Sequence, residues 1–500
     1  MTAGGPGAAA TDRLPVVVLA VLVCMTAALL LFRLDHPALK MDEVFSVNYI
    51  RNGVAYLLDL ARPDERNPPG YFLALKAWTA LAGDSRAGAR SLSVACALAC
   101  LPLIYLVARP LFGPRVALLA ALFLGSFPGF LHYGREARMY AMLFFCLMLA
   151  ILFCTMLLDH ARIRSRARHP ALALGLVVTG FAVSLAATFY AHYSAAVYYL
   201  CFLAAVVWIF LLERDLRLLG LVGTGLALAT LLALPQIFHM LGFVSPGESE
   251  WIPPTTAELF LKTVLGCFPF PTWAKPVFLL LYAAGTVMIW RRDRRFGILF
   301  LCMPAVGIAA LGVIGIWRPM LLVRTAQPLT LLAPLALAVA VARLPLPGIA
   351  AAALVALQLW PARADYPAER ETMAGEALSE VLADIDPDRD QVFYIAPLRP
   401  QFELFRLPGR ERFQPLRFED PAAQFPAILS RVRSCHGPLP APAGCGRTYV
   451  IMEPDPRFEK ENAAAWTRFL DRLAAETGNS RTLTLPGHAV YILSGKAPGG

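Results

Sequence analysis

Long apolar runs separated by short polar segments dominate the chain. Each run is about 15 to 21 residues long, close to the ~20 that an α-helix needs to cross the hydrocarbon of a bilayer. The pattern predicts a polytopic α-helical membrane protein with about eleven spans. The runs are 14–32, 91–107, 116–134, 139–158, 171–189, 195–212, 218–238, 276–290, 297–317, 327–342 and 345–360.

The charges in the connecting segments predict the orientation of these spans. Three connectors, 108–115, 161–169 and 291–296, are rich in arginine and poor in acids, as is typical of short cytoplasmic loops. The alternation of spans then places the N-terminus in the cytoplasm. The joint HYGREARMY, the HYS motif at 192–194, the loop 239–275 and all residues after Pro361 are expected on the extracytoplasmic side.

One apolar run is too short to be a span. Residues Tyr71–Ala82 form only about half of a membrane crossing, and counting them would put the arginine-rich connector 108–115 on the wrong side. We therefore expect a helix lying along the outer interface, anchored by Tyr71 and Trp78. It belongs to a polar outer loop, 34–90, that follows the first span.

The chain is predicted to consist of a membrane domain, residues 1–360, and an extracytoplasmic domain, residues 361–500. Its composition supports this division. With 58% hydrophobic and 16% charged residues and a mean hydropathy of +0.58, the chain cannot be one soluble globule. Residues 361–500 hold 17 basic and 19 acidic residues and are near −2, so the membrane domain carries about +12 of the total net charge of +10. This distribution indicates membrane topology and headgroups, and it gives no support for nucleic-acid binding.

The C-terminal segment has the pattern of a small α/β domain. Its predicted elements are helices at 370–382 and 460–475, strands at 391–397 and 448–453, and a hairpin at 481–493. Eight of the ten cysteines lie in or beside apolar runs, which favours packing. Cys435 and Cys445 lie in the polar tail, and because the predicted topology places the tail outside the cytoplasm, we expect them to form a disulfide.

Four polar clusters are expected to converge at the outer ends of the spans. Charged groups at this depth are costly unless they are paired or functional. Arginine forks match phosphate oxygens, and a carboxylate can take the proton of an attacking sugar hydroxyl. The clusters are Asp42 with Glu43, Arg135 with Glu136, Arg138 and Tyr140, His192 with Tyr190 and Tyr193, and Arg318 with Arg324.

Six motifs resemble the GT-C polyprenyl-phosphate-sugar glycosyltransferases, in the bacterial branch that is similar to protein O-mannosyltransferases and the lipid A aminoarabinose transferase. They are MDEVFSVNYI, NPPGYF, REARMYAM, FYAHYS, WIPP and VRTAQP, and the resemblance covers residues 14–342. It implies an enzyme of the bacterial inner membrane whose active site faces the periplasm. The implied reaction moves a sugar, with inversion, from a polyprenyl-phosphate donor to a lipid, polysaccharide or protein acceptor.

The resemblance also implies roles for individual residues. Asp42, with Glu43 beside it, would be the base or would orient the acceptor. Arg138 and Arg324 would hold the donor phosphate, with Arg135, Tyr140, His192, Tyr193 and Asn67 completing the substrate site. Two departures bear on donor contacts and on the divalent metal ion that such enzymes could use: Asn67 stands where relatives often have histidine, and Thr325 stands where many have tyrosine.

Each of these residues also has a structural interpretation. Asp42 could be a solvated helix cap, and Glu43 could pair with Arg51 or Lys76. Arg135 could extend to lipid headgroups, and His192 could be a satisfied helix-end histidine. The NPPG segment from Asn67 could be only a helix start, and WIPP could cover the donor or simply restart a helix.

Two other classes of function fit a polytopic membrane protein. A transporter or flippase of a lipid-linked sugar would place polar groups at the bilayer midplane and contain internal repeats. The middles of the apolar runs are almost free of charge, and no repeat is found at half length. A non-catalytic assembly subunit would tolerate the loss of Asp42.

Overall fold

A computed structural model describes most of the membrane domain and parts of the tail. The described residues are 6–35, 39–59, 67–242, 255–268, 270–317, 320–363, 385–386, 389–395, 414–416, 447–452, 480–485 and 488–493. The chain divides into two compact units. The first contains residues 1–34 and 52–366, and the second contains residues 35–51 and 367–500.

The described helices follow the predicted apolar runs closely. They are α1 (Pro6–Leu31), α2 (Met41–Tyr49), α3 (Val54–Leu58), α4 (Pro69–Ala82), α5 (Arg86–Gly125), α6 (Pro128–Gly134), α7 (Tyr140–Leu158), α8 (His160–Arg166), α9 (Pro170–Ala191), α10 (Ala195–Glu213), α11 (Leu216–Gly242), α12 (Ala257–Gly266), α13 (Lys275–Arg292), α14 (Arg294–Trp317), α15 (Val323–Ala326), α16 (Ala333–Val341) and α17 (Pro347–Ala362). A 3₁₀ turn, Gln327–Thr330, joins α15 to α16. All except α2 lie in the first unit.

Within the described residues, seven helices are long and apolar enough to cross a membrane. An eighth span results if the bent pair Val323–Thr330 and Ala333–Val341 is counted as one crossing. The first unit is thus a multi-pass helical membrane domain. The number of eleven spans stays a prediction, because it also requires the short α17, the less apolar α13 and a division of α5 into two crossings.

The structure contains the break that such a division of α5 requires. This helix is 40 residues long, but Gly113 interrupts it with φ 81° and ψ 172°. Glycine tolerates this positive φ because it has no Cβ, and Pro114 begins the next helical segment. The break lies in the arginine-containing connector between the predicted spans 91–107 and 116–134.

The helix surfaces have the character expected for contact with lipid. Large apolar side chains are exposed along α9, α11 and α13, for example Leu176, Leu231 and Leu280, each with more than 60% of its surface accessible. A water-soluble domain rarely exposes so many large side chains side by side. In contrast, α7 and α16 are largely buried and lie in the centre of the bundle.

The helix that was predicted over residues 71–82 is present as α4, which begins with Pro69 in its first turn, and its position at the membrane interface stays a prediction. Its packing corrects one part of the prediction. Tyr71 is completely buried and cannot serve as an interfacial anchor, because α4 packs against α5 and α9. Trp78 is half-buried, and its indole N–H donates to Ser91 Oγ at 2.8 Å.

The second unit contains α2 and a five-stranded sheet. The strands are β1 (Gln391–Ile395), β2 (Gln414–Leu416), β3 (Thr448–Met452), β4 (Ser480–Leu485) and β5 (His488–Leu493), in the order β2-β1-β3-β5-β4. The two predicted strands and the hairpin are confirmed, whereas β2, which is parallel to β1, was not predicted. The predicted helices at 370–382 and 460–475 lie outside the described residues.

Candidate functional site

The polar turn between α6 and α7 forms the centre of the candidate site. It contains Arg135, Glu136 and Arg138, directly before Tyr140 begins α7. The Ser93 hydroxyl on α5 donates to the carbonyl oxygen of Glu136 at 2.5 Å and lies 3.4 Å from that of Arg138, which holds the turn against α5. The turn is therefore a rigid element of the bundle, and Arg138 is 8% exposed.

Arg135 has a structural role in this turn. Its guanidinium donates to the carbonyl oxygens of Leu29 (2.9 Å), Leu30 (2.8 Å) and Phe32 (2.8 Å) at the C-terminal end of α1. The last carbonyl groups of an α-helix generally lack partners within the helix, and a cation at a helix C-terminus is favourable. Arg135 thus holds α1 to the α6–α7 turn, and its predicted contact with the donor stays a prediction.

Aromatic rings and an acid–imidazole pair line the same turn. The rings of Tyr133 and Tyr140 have centroids 5.0 Å apart, and His132 packs edge-on against Tyr133 at 5.0 Å. His132 Nε2 lies 3.2 Å from Glu136 Oε1. The sequence placed Glu136 in this cluster, but the contact with His132 was not predicted.

His192 is a neutral imidazole beside this turn. Its Nδ1 accepts the backbone N–H of Ser194 at 3.1 Å, so its proton is carried by Nε2. Burial, followed by the positive charges of Arg138 and Arg324, lowers the pKa of His192 from 6.5 to about 4. The imidazole is therefore uncharged at neutral pH, and it can offer a neutral donor, rather than a cation, to a ligand.

Tyr140 and Arg324 lie close to His192. The rings of Tyr140 and His192 have centroids 5.9 Å apart. Arg324 lies on α15, at the start of the broken helix pair, and its charge acts on His192. The first unit thus brings together Arg138, Tyr140, His192 and Arg324, which belong to three of the four predicted clusters.

The broken helix that carries Arg324 is held by its own polar side chains. Thr325 Oγ accepts the backbone N–H of Leu322 at 3.1 Å, so the threonine that replaces a tyrosine of relatives stabilises the turn. Gln327 is buried, and its amide donates to Thr330 Oγ at 3.1 Å. A Cβ at Gly129 would lie 2.7 Å from the Gln327 side chain, which shows how closely α6 approaches this turn.

Tyr193 is hydrogen-bonded to side chains of another helix. Its hydroxyl hydrogen-bonds His239 Nδ1 and lies 3.4 Å from Gln236 Oε1, both on α11. The neighbouring Tyr190 hydroxyl donates to the carbonyl of Leu232 at 3.0 Å. Both tyrosines therefore tie the α9–α10 turn to α11, and this partner helix was not predicted from the sequence.

The NPPG segment is packed against the same end of α9. A Cβ at Gly70 would lie 2.6 Å from the carbonyl oxygen of Tyr190, so only glycine allows this approach. Asn67 stands just before the prolines and is half-buried. Its predicted contact with substrate stays a prediction. The segment does more than start a helix, because Gly70 packs α4 against Tyr190, two residues before His192 in the chain.

Asp42 and Glu43 lie in the second unit, in the first turn of α2. Glu43 is buried, and its Oε2 accepts the backbone N–H of Lys40 at 2.9 Å. This is the contact of a helix-capping acid. Asp42 is half-buried, and its carbonyl accepts the hydroxyl of Ser46 at 3.2 Å. The two acids are therefore adjacent but differ in environment.

Several predicted features lie outside the described residues or find no counterpart within them. Arg318, the WIPP segment, and the cysteines Cys435 and Cys445 are not among the described residues. In the part of the chain that the structure covers, no group of three His, Cys, Asp or Glu side chains could hold a metal ion. A divalent metal thus stays an expectation from the resemblance alone.

Comparison with known proteins supports the predicted resemblance. Residues 66–239 match the family model described as dolichyl-phosphate-mannose-protein mannosyltransferase. This segment contains Arg138, Tyr140 and His192. No curated protein matches the chain in sequence.

Solved structures are similar over nearly the whole chain. Apo ArnT from Cupriavidus metallidurans has a TM-score of 0.62 at 13% identity, covering 97% of this chain and 98% of ArnT. ArnT bound to undecaprenyl phosphate has a TM-score of 0.60 at 14% identity, covering 96% and 99%. The oligosaccharyltransferase AglB from Archaeoglobus fulgidus, in complex with an inhibitory peptide and a dolichol-phosphate, has a TM-score of 0.56 at 12% identity, covering 98% and 75%.

These similarities confirm the fold that was expected from the motifs. The likeness to ArnT extends along both chains, whereas the sequence match is confined to 66–239. The protein therefore has the fold of the GT-C polyprenyl-phosphate-sugar glycosyltransferases, and it resembles their mannosyltransferase branch in sequence between residues 66 and 239.

Proposed function

We propose that the protein is a membrane glycosyltransferase that moves a sugar from a polyprenyl-phosphate donor to an extracytoplasmic lipid, polysaccharide or protein. It would act in the inner membrane of a bacterium, with its site facing the periplasm. The match of 66–239 to a mannosyltransferase model supports sugar transfer. The solved structures of similar fold that contain undecaprenyl phosphate or a dolichol-phosphate support a lipid-phosphate donor.

The observation that carries the proposal is the convergence of Arg138 and Arg324 on His192. The charges of both arginines lower the pKa of one half-buried imidazole, although the arginines are almost 190 residues apart in the chain. Two arginines at the end of an apolar helix bundle supply what a phosphate group needs at the membrane surface, namely permanent charge and paired N–H donors. The donor phosphate would therefore sit between Arg138 and Arg324.

The neighbouring groups fit the rest of such a donor. The rings of Tyr133 and Tyr140 offer flat surfaces on which a sugar or an isoprenoid chain can stack. The neutral His192 would donate a hydrogen bond from its Nε2–H to an uncharged oxygen of the donor. Because of its low pKa, it would add no positive charge to that of the arginines. This assigns phosphate binding to the arginines and orientation to the imidazole and tyrosines.

Asp42 is the proposed base. In the transfer step, the acceptor hydroxyl loses its proton to the Asp42 carboxylate, and its oxygen attacks the anomeric carbon. The bond between that carbon and the phosphate oxygen breaks, which inverts the configuration and releases polyprenyl phosphate. Arg138 and Arg324 would stabilise the negative charge that develops on the leaving phosphate.

The contacts of the remaining predicted residues favour supporting roles. Arg135 caps α1, Tyr193 holds α11, and Glu43 caps α2. We therefore expect these residues to position the site, and to affect transfer through its geometry.

The test is complementation of a strain that lacks the gene. Envelope lipids and glycans are compared by mass after expression of the wild type, Asp42→Asn, Arg138→Gln and the control Arg343→Gln. Arg343 follows α16, at the end of the broken helix pair remote from Arg324. We expect the wild type and the control to restore one glycosyl unit that both other variants fail to restore at equal protein level. Full activity of Asp42→Asn would refute its role as base, and full activity of Arg138→Gln would refute the donor site.

A further inference from the structure

A cavity lies at the end of α7 that is remote from the candidate site. Its volume is about 670 Å³, within the range of about 300–1,000 Å³ that is typical of ligand pockets. The candidate site adjoins Tyr140 at the start of α7, whereas the cavity adjoins Leu158 at its end. At 1.5 Å per residue, the 19 residues of this helix separate the two by roughly 28 Å.

The walls of the cavity are apolar. Leu152, Thr155 and Met156 follow one another at helical spacing on a single face of α7, opposite Leu106 and Pro110 of α5. Leu106 and Met156 are also 47% and 38% exposed. Apolar residues that line a cavity and are exposed at the same time form a lateral opening, through which an acyl chain can enter from the bilayer.

Charged residues surround the other part of the cavity. They come from the α7–α8 and α13–α14 junctions and comprise Asp159, Arg162, Arg292, Asp293 and Arg295. By the charge rule for loops, both junctions lie at the cytoplasmic surface. The cavity thus combines an apolar interior with a charged rim at headgroup level, which is the arrangement of a lipid site.

Two of the five charged groups are already neutralised or bound. Arg295 forms ion pairs with Glu213 at 2.6 Å and Asp215 at 2.8 Å. The carboxylate of Asp293 accepts the backbone N–H of Phe296 at 2.9 Å, which caps α14. Arg295 and Asp293 therefore have structural roles within the protein, and neither is assigned to ligand binding.

Arg162 and Arg292 remain as cations that can receive an anion. The Arg292 Nε–H donates to the carbonyl of Leu111 at 3.2 Å, and among the described residues no carboxylate lies within ion-pair distance of its guanidinium. Arg162 is 3.8 Å from Asp159, but both side chains are about half exposed, so this pair is weak. Both arginines therefore have N–H donors for a phosphate at the rim.

We propose that this cavity binds a glycerophospholipid, with its phosphate between Arg162 and Arg292 and the first part of one acyl chain along Leu106 and Met156. The site is separate from the proposed sugar-transfer site and does not depend on it. The apolar walls require a lipid rather than a soluble phosphate. The arginines require the phosphate group, so that a neutral diacylglycerol would not suffice.

The test is native mass spectrometry of the delipidated full-length protein in detergent, with phosphatidylglycerol as the probe. Diacylglycerol, which lacks the phosphate, and glycerol 3-phosphate, which lacks the chains, are the comparison ligands. We expect the wild type to retain phosphatidylglycerol alone. Equal retention of diacylglycerol, or displacement of the lipid by an equal concentration of glycerol 3-phosphate, would overturn the proposal.

Two pairs of substitutions locate the binding. Arg162→Gln with Arg292→Gln should reduce retention at least tenfold, since one hydrogen bond between charged groups corresponds to a factor of about 10 to 100. The matched control is Arg164→Gln with Arg294→Gln, which removes one arginine from each of the same two junctions but none from the cavity lining. An equal loss in the control pair would show attraction to general surface charge and would contradict a defined site.

A further variant keeps the charges and fills the cavity. Leu106→Trp places a bulky indole ring at the lateral opening. We therefore expect retention of phosphatidylglycerol to fall although both arginines remain. Thermal unfolding of the lipid-free variant checks that it folds. Retention at the wild-type level by a folded Leu106→Trp protein would show that no acyl chain enters, and it would refute the proposal.

Discussion

The carbonyl oxygen of Tyr190 lies where a side chain at Gly70 would begin, only 2.6 Å from an ideal Cβ position. This approach brings the start of α4 against the end of α9, close to His192. The glycine of the NPPG motif is thus required by packing, whatever role Asn67 has. The contact also shows that the site depends on segments more than 100 residues apart.

Gly70→Ala should destabilise the protein. The added methyl group would overlap the Tyr190 backbone, and overpacking of this kind costs about 1–3 kcal/mol. The measurement is thermal unfolding in detergent. Gly175→Ala on α9 is the control, because a Cβ there meets nothing within 4 Å, and its melting temperature should be unchanged or slightly higher. Equal melting temperatures for the two variants would contradict the packing described for α4.

Arg135→Gln should lower stability more than it changes donor affinity. The substitution removes charge-assisted hydrogen bonds to the end of α1, each contributing about 1.5–3 kcal/mol. Thermal unfolding and polyprenyl-phosphate binding are measured on the same preparation, with the exposed Arg115→Gln as control. An unchanged melting temperature together with lost binding would show that Arg135 contacts the donor and that the capping role is minor.

His192 should make stability dependent on pH on the acid side. Its pKa is about 4 in the folded protein and about 6.5 when unfolded. The unfolded state therefore binds the extra proton first, so stability is unaffected above about pH 6.5 and falls as the pH decreases towards 4. The steepest loss is about 1.4 kcal/mol per pH unit.

The check compares the unfolding of the wild type and His192→Asn between pH 7 and pH 4. We expect the variant to lose less stability over this interval, because it lacks the titrating imidazole. In Arg138→Gln the stability should depend less on pH than in the wild type, because one of the charges that lowers the pKa of His192 is gone. Parallel curves for the wild type and His192→Asn would show that the surroundings of His192 do not lower its pKa.

The arginine pair should determine affinity for a lipid phosphate. Arg138→Gln and Arg324→Gln should each weaken binding of undecaprenyl phosphate to the purified protein about 10- to 100-fold, as expected for a charged hydrogen bond of about 1.5–3 kcal/mol. Arg343→Gln should bind as the wild type does. If undecaprenol without phosphate bound equally well, or if neither site variant weakened binding, the arginines would have no role in holding the donor.

The sequence predicted the elements of the fold better than their contacts. Apolar length and loop charge predicted the positions of the membrane helices, and period-two patterns predicted β1, β3 and the β4–β5 hairpin. The three-residue β2 was missed because it is shorter than any pattern that could indicate it. The break at Gly113 was implied by the arginine-rich connector, although its geometry was not.

The candidate site was predicted in part. Arg138, Tyr140, His192 and Arg324 were expected to converge because the predicted topology brings their loops to one side. The partners of Arg135 and Tyr193 could not be predicted, since Leu30 and His239 lie in other helices at separations of 105 and 46 residues. Local pattern carries no information about such contacts, which depend on how the helices pack.

The central claim is that the protein transfers a sugar. The most direct test measures transfer in detergent, where no intact membrane separates two compartments. Detergent-solubilised membranes are incubated with an extract of lipid-linked sugars and envelope acceptors, and the polyprenyl phosphates are followed by mass. A transporter has no function without two compartments, whereas a transferase still consumes its donor. We predict that wild-type membranes convert the lipid-linked sugar to free polyprenyl phosphate, while membranes with Asp42→Asn do not. A donor that keeps its glycosyl unit in the presence of the wild-type protein would contradict the account.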